Sequence, residues 1–322
     1  MKRTIKISGM MAFIAFFTFS LTAQTRNDVI KAYNEGAKAA QTDVLAAIAA
    51  FENVITISGQ VGETADDLKQ KATQILPGLY VKSASAAITE KKPASEIIRA
   101  AKTAAAAAEK YGSATSRDNS AKLLVQGYYM MGIDYFNNKD FENSLKAFDS
   151  LLVINPDYSA AIYNKALIYR SQDNAEAFEA AIDSFLGKLD PAKEADKAAQ
   201  ASSTAIEYFR AAGSQANQAN NLDEALALLD KAAKYGDDKD LFYYYADVYN
   251  KQKNYDKGIE FARKGLDLET GDAEAKAKFY FQLGLAQAGK GQTSEACASF
   301  KNSLYGPFAE PSKAQRTNLK CQ

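Results

Sequence analysis

Apolar residues recur along most of this chain at three- and four-residue spacing, the period of a helix that buries one stripe. Short polar clusters interrupt the pattern at Asn137-Asn138-Lys139-Asp140, Gln252-Lys253-Asn254 and Lys290-Gly291-Gln292. Each reads as a tight turn between two amphipathic helices. One motif returns around these turns. Its clearest copy runs through Gly132, Tyr135, Phe141, Ser144, Phe148 and Leu151 and closes with Asn155-Pro156. A second starts at Gly284 and continues to Glu295-Ala296, Phe300 and Ser303; a third starts at Gly213 and continues from Leu222 to Ala232. Ala246, Tyr249, Tyr255, Gly258, Ile259 and Gly265 form a fourth copy, and Ala166 with Tyr169 marks a fifth. Gly132 to Ala166 is 34 residues and Gly213 to Ala246 is 33, whereas Ala166 to Gly213 is 47. The long interval predicts a lengthened helix around Pro191 to Phe209.

The physical logic is close packing. A small residue late in the first helix and another early in the second let the pair approach, and aromatic residues at fixed offsets fill the remaining space. One pair cannot bury its apolar stripe alone, so neighbours must stack. On these residues the chain resembles the tetratricopeptide repeat (TPR) family, with its 34-residue helix-turn-helix unit. The resemblance implies an all-α fold, a right-handed superhelix of stacked antiparallel helix pairs. The copy from Val125 to Tyr158 fits the small, aromatic and terminal proline places and departs at Ser144 and Leu151, where alanine is usual. Ala216 stands where an aromatic is expected, and Gly258 and Gly265 stand for alanines. These substitutions are expected to fall at size-tolerant places.

Residues 24–118 form an alanine-rich helical region with weaker copies. Tyr33 to Phe51 is one and Leu76-Pro77 to Ala108 another, and the polar stretch Gly112–Asn119 is the expected linker before the array at 119–322. Residues 1–23 read as an export signal. Lys2, Arg3 and Lys6 precede an apolar run from Met10 to Leu21, too short for a membrane-spanning helix of about 20 residues, with Ala23 at the expected cut. The Ala23-Gln24 end, with Gly306-Pro307-Phe308 and Leu319-Lys320-Cys321 at the other terminus, is similar to exported TPR proteins of Bacteroidetes-type bacteria. Localisation is therefore expected outside the cytoplasm, in the periplasm first, with secretion or surface attachment as alternatives. No later segment is expected to span a membrane.

Composition narrows the chemistry. With no histidine and two cysteines among 322 residues, histidine-dependent metal sites and Ser-His-Asp or Cys-His nucleophile systems are excluded. No catalytic residue, metal site or cofactor is expected. Taking away Lys2, Arg3 and Lys6 leaves 36 basic against 39 acidic side chains, a balance that argues against nucleic acid as a partner. The segment Gly284 to Gly291 imitates a phosphate-binding loop, but Gly291 holds the place of the required Ser or Thr, and a helical pattern runs into it. Asp66-Asp67 and Asp237-Asp238 read as solvated turns rather than an acid–base pair. Cys297 and Cys321, 24 residues apart, are expected to pair. That disulfide would pin a cap over the last repeat and contribute about 3 kcal/mol.

The remaining signal is aromatic. Consecutive rings such as Phe242-Tyr243-Tyr244-Tyr245 cannot all face one core on a helical period. The resemblance implies a concave groove lined by first-helix places that here hold Tyr129, Phe136, Asn137, Tyr163, Arg170, Tyr243, Asp247, Asn250, Lys251 and Phe281. The carboxylate-clamp subclass is rejected because its lysines are missing. The expected function is a non-catalytic scaffold in the cell envelope that holds a protein or peptide partner in this groove. The alternative is a structural, self-associating part of an envelope or secretion assembly, which a concentration-independent monomer mass would remove.

Overall fold

A computed structural model describes residues 24–322, so the export signal expected over residues 1–23 lies outside the described residues. Among the described residues every regular element is a helix: fifteen α-helices and two short 3₁₀ turns. They divide into two compact units that meet in sequence at Met131 and Gly132.

The first unit carries α1 (Arg26–Ala39), α2 (Val44–Val61), a 3₁₀ turn (Glu63–Ala65), α3 (Asp66–Thr89), α4 (Ala94–Lys110) and the start of α5 (Ala114–Asn137). Local chemistry sets the helix starts. Asp28 accepts the Thr25 backbone N–H at 2.8 Å, and Asp43 takes the N–H groups of Leu45 and Ala46 at 3.0 Å, relieving donors that a helix start leaves unpaired. Val29, Phe51, Val54 and Leu76 lie at the centre of the core. Pro77 sits inside α3 rather than at a boundary, buried with its neighbours. The expected linker at Gly112–Asn119 is a tight turn, with Gly112 at φ 70°, followed by the opening turns of α5. The expectation of no further apolar span is corrected at α2, an 18-residue helix of mean hydropathy 1.5 that is long and apolar enough to cross a bilayer. Its residues Ala47, Ile48, Phe51, Val54 and Ile57 are buried among protein side chains, as in a core helix.

The second unit continues with α6 (Phe141–Ile154), α7 (Ser159–Ser171), α8 (Ala175–Lys188), α9 (Ala195–Gln218), α10 (Leu222–Ala233), α11 (Lys239–Lys251), α12 (Tyr255–Leu268), α13 (Ala273–Gly289) and α14 (Thr293–Asn302). A 3₁₀ turn (Gly306–Phe308) and α15 (Ala309–Asn318) close it. One turn design makes the helix pairs. Lys139, Asp173, Asn220, Lys253 and Gly291 take φ values of 59°, 54°, 62°, 60° and 77°. The next residue, Asp140, Asn174, Asn221, Asn254 or Gln292, donates its N–H back to Tyr135, Tyr169, Ala216, Tyr249 or Gln287 at 2.8–3.0 Å. This left-handed closure satisfies the last carbonyls of the first helix. In three turns the same residue then caps the second helix: Asp140, Asn174 and Asn254 accept the N–H groups of Asn143, Ala177 and Lys257. Each chain reversal is therefore three residues of fixed geometry, and the two helices leave it antiparallel.

Small residues then set how closely the helices lie. A Cβ on Gly132 would stand 2.5 Å from the Phe148 ring, and one on Gly284 would stand 2.8 Å from Phe300. Ser144, where alanine is usual, fits because its hydroxyl donates to the Gly132 carbonyl at 2.7 Å. The expectation that Gly258 and Gly265 are size-tolerant is corrected. A Cβ on Gly265 would meet Phe279 at 2.3 Å, and one on Gly258 would meet Asn250 Oδ1 at 2.2 Å. Pairs stack in order, α10 on α11 and α12 on α13, while α9, α11 and α13 adjoin as successive first helices. The long 47-residue interval is taken up by α9, which has 24 residues where α7 and α11 have 13. The core of this part is apolar and aromatic, with Phe178, Ile182, Phe209, Leu229 and Leu241 fully buried.

Candidate functional site

The first helices of the second unit present their side chains in a regular way. Two aromatic residues stand three places before a close-contact alanine, Tyr163 before Ala166 and Tyr243 before Ala246. Each leans on the following first helix. The Tyr163 hydroxyl lies 3.3 Å from Thr204 Oγ1 on α9, and its ring packs 4.9 Å from Phe185. The Tyr243 ring meets Phe279 of α13 edge-on at 6.3 Å, with Lys278 Nζ 5.9 Å from its centroid. Burial raises the Tyr243 pKa, and the Asp247 carboxylate adds to that, while a hydrogen bond with Gln282 opposes it. These tyrosines form the seams between repeats and present one edge to the outside.

Polar residues tie the same three helices together. Asp247 on α11 accepts a hydrogen bond from Asn217 Nδ2 of α9 at 2.6 Å and another from Gln282 Nε2 of α13 at 3.0 Å. Lys251 Nζ donates to Asn217 Oδ1 at 2.8 Å and lies 3.4 Å from Asp247. Asn250 Nδ2 donates to the Gln282 carbonyl and to Gln282 Oε1, both at 2.9 Å. Asn250 Oδ1 has no hydrogen-bond donor and rests against Gly258. A second bridge runs one to two turns nearer the helix starts, where Arg210 of α9 meets Asp238, which caps α11, and Asp240 within α11, and Lys278 of α13 meets Asp240. Successive first helices are thus held in register by carboxylates shared between neighbours.

The structure therefore brings together four of the sequence-expected residues, Tyr243, Asp247, Asn250 and Lys251. Their polar groups bond one another and their neighbours. Asn217 and Gln282, each 3% exposed, complete the network and escaped the sequence reading, because a buried amide on a helix has no sequence signature. Arg170 stands exposed in the last turn of α7, with one guanidinium nitrogen 3.9 Å from Glu207 of α9. Phe136 packs on Phe141 with centroids 6.0 Å apart, and Asn137 is exposed at the end of α5. Phe281 is enclosed between Phe300 at 5.9 Å and Phe308 at 5.5 Å. Tyr129 is half-buried and belongs to the first unit.

Two of the hollows elsewhere are walled by several helices. One of about 740 Å³ opens in the first unit between α2, α3 and α4, with Leu45, Ile48, Ala87 and Ala100 in its wall. The other, of about 410 Å³, lies in the second unit between α6, α7 and α8. Among the described residues no group of three or more carboxylates or cysteines is placed to hold a metal ion. The expected disulfide joins Cys297 of α14 to Cys321, with Cα atoms 5.6 Å apart.

No family model and no curated protein matches the sequence. Among solved structures, the chain is similar to MamA at 20% identity, over 62% of this chain and 97% of that one, with a TM-score of 0.35. It is similar to YrrB, described as a TPR protein with an unusual peptide-binding site, at 13% identity over 61% and 91% of the two chains, with a TM-score of 0.34. A tetratricopeptide repeat protein from Parabacteroides merdae ATCC 43184 is 15% identical over 92% of this chain and 98% of that one, with a TM-score of 0.29. Identities and TM-scores this low leave the repeat assignment resting on the chain's own turns and close contacts.

Proposed function

We propose that this chain of tetratricopeptide-type helix pairs is a non-catalytic interaction scaffold of the cell envelope, exported by its leader and working in the periplasm. It binds a protein or peptide segment along the first-helix face of the second unit. The observation that carries this reading is the shared-carboxylate network from Asn217 through Asp247 to Gln282. It holds three successive first helices at fixed separation, and such a face binds without reordering itself. On that frame the outer part of Lys251 and the open edge of Tyr243 are accessible to a partner, and Asn137 on α5 with Arg170 and the open edge of Tyr163 on α7 stand on preceding first helices. They suit an extended segment with its own hydrogen-bonding groups. Tyrosine edges give apolar area at little loss of conformational freedom. The envelope location draws support from the leader pattern and from the Cys297–Cys321 disulfide, since such bonds persist in oxidising compartments.

The test is in-cell crosslinking and capture of the tagged chain, repeated with Asn137→Ala and Arg170→Ala, which alter exposed groups and leave the hydrogen-bond network of α9, α11 and α13 intact. Envelope proteins present with the unaltered chain and lost with the folded variant support the groove. The same proteins captured by both would move the interface elsewhere.

A further inference from the structure

Residues 306–322 stand where the array would place another first helix. Tyr163 and Tyr243 each lean on the first helix that follows. Phe281 holds the corresponding place on α13, three residues before Gly284, and among the described residues α14 is followed by the 3₁₀ turn Gly306–Phe308 and α15. What meets its ring is Phe308, from the 3₁₀ turn Gly306–Phe308. This segment therefore covers the side of the α13–α14 pair on which Phe281 stands.

The attachment of this segment is thin. Along α15 the only buried residue is Ser312, whose hydroxyl lies 2.6 Å from that of Ser303. Arg316 donates to the Cys297 carbonyl at 2.7 Å and to the Gln322 carbonyl at 3.0 Å. The 3₁₀ turn also packs on α13 and α15 on α14, Phe308 meets Phe281, and a covalent bond joins Cys297 to Cys321. Both cysteines are half-buried, so a small dithiol reaches them.

We propose that residues 306–322 are a redox-released strap, held over Phe281 by the Cys297–Cys321 disulfide and freed when that bond is reduced. A thiolate of a dithiol reductant attacks one sulfur and forms a mixed disulfide, and the other cysteine leaves as a thiolate. The reductant's second thiolate then closes its own disulfide and releases the first cysteine. Two electrons and two protons reach Cys297 and Cys321, and the reductant ends as a disulfide. The strap then opens as a local unit, and the Phe281 side chain midway along α13 becomes accessible while α13 and α14 stay folded. The inference stands apart from what the first-helix face binds.

Amide hydrogen exchange read by mass spectrometry tests it on the full chain in three forms: oxidised, reduced with a dithiol, and as the Cys297→Ser/Cys321→Ser double variant. The expected result is exchange about 100-fold faster across Ala309–Asn318 in both thiol forms. Protection of α9 to α14 should be unchanged. Phe308→Ala in the reduced chain should speed the strap further. Equal exchange of the strap in all three forms overturns the proposal, because the non-covalent contacts then suffice. Loss of protection throughout α13 and α14 overturns it too, since the bond would then be a staple of the whole last pair.

Discussion

Asp247→Ala removes the carboxylate shared by three first helices. Two buried donors lose their acceptor, Asn217 Nδ2 at 2.6 Å and Gln282 Nε2 at 3.0 Å. Lys251 loses a partner at 3.4 Å. A buried donor left without an acceptor costs about 1–3 kcal/mol. Gln282 keeps a contact with the Tyr243 hydroxyl, and Lys251 keeps Asn217, so both losses fall short of their ceilings. The expected destabilisation is about 2–4 kcal/mol. Asp247→Asn keeps the shape and one acceptor oxygen but turns an amide NH₂ toward an incoming donor, and should lose roughly half as much. Urea unfolding followed by far-ultraviolet circular dichroism reads both, with the midpoint falling and the slope unchanged. If Asp247→Ala unfolds within about 0.5 kcal/mol of the unaltered chain, a surface-like value, the network does not hold the helices and the rigid-frame argument fails.

Further consequences can be measured the same way. Gly258→Ala forces a Cβ to within 2.2 Å of Asn250 Oδ1 and should cost about 1–3 kcal/mol; an unchanged midpoint would show that the pair can part freely. Lys139→Gly relieves a non-glycine residue at φ 59° and should raise stability by about 0.5–1 kcal/mol, read as a higher urea midpoint. Tyr208 donates to Asp173 at 2.8 Å, and burial together with that carboxylate pushes its pKa up from 10.0 to about 12. Its folded pKa lies above the unfolded one, so its stabilisation is whole below pH 10.0 and fades as pH rises through about 12; Tyr208→Phe should flatten the alkaline limb of a stability–pH curve. Glu269, salt-bridged to Lys239 and bonded to the Gly271 N–H, has its pKa lowered from 4.5. Its contribution is therefore present above pH 4.5 and is lost as pH falls through the lowered value, and Glu269→Gln should remove that part of the acid limb.

The repeat was legible because its determinants are local. A left-handed residue between Asn138 and Asp140, a glycine at 132 and a phenylalanine at 148 constrain a helix pair within a few turns of chain. The 47-residue interval likewise announced the length of α9, and two cysteines left a single pairing. Residues whose role depends on a neighbour in space were harder to read. Gly258 looks like a loose alanine until Asn250 Oδ1 is found in the space of its missing Cβ. Asn217 and Gln282 look like solvent-facing helix residues until Asp247 is found between them. Tyr163, Tyr243 and Phe281 were expected to line a groove, and each also packs against another ring, Phe185, Phe279 and Phe308 in turn. Pro77 inside α3 and the apolar length of α2 escaped because both are tolerated through burial against neighbouring helices, which a single sequence does not display.

If partners meet the first-helix face of the second unit as proposed, contacts should be confined to that side of the helix pairs. The most direct measurement places a photo-crosslinking amino acid at one position at a time, in cells, on opposite sides of the helix pairs. Arg170 and Lys251 sample the first helices, while Val153 on α6 and Leu268 on α12 are exposed on second helices. A discrete adduct with one envelope protein or segment is expected from positions 170 and 251 and none from 153 and 268. Adducts from 153 and 268 alone would contradict the proposal and place the working surface on the second helices.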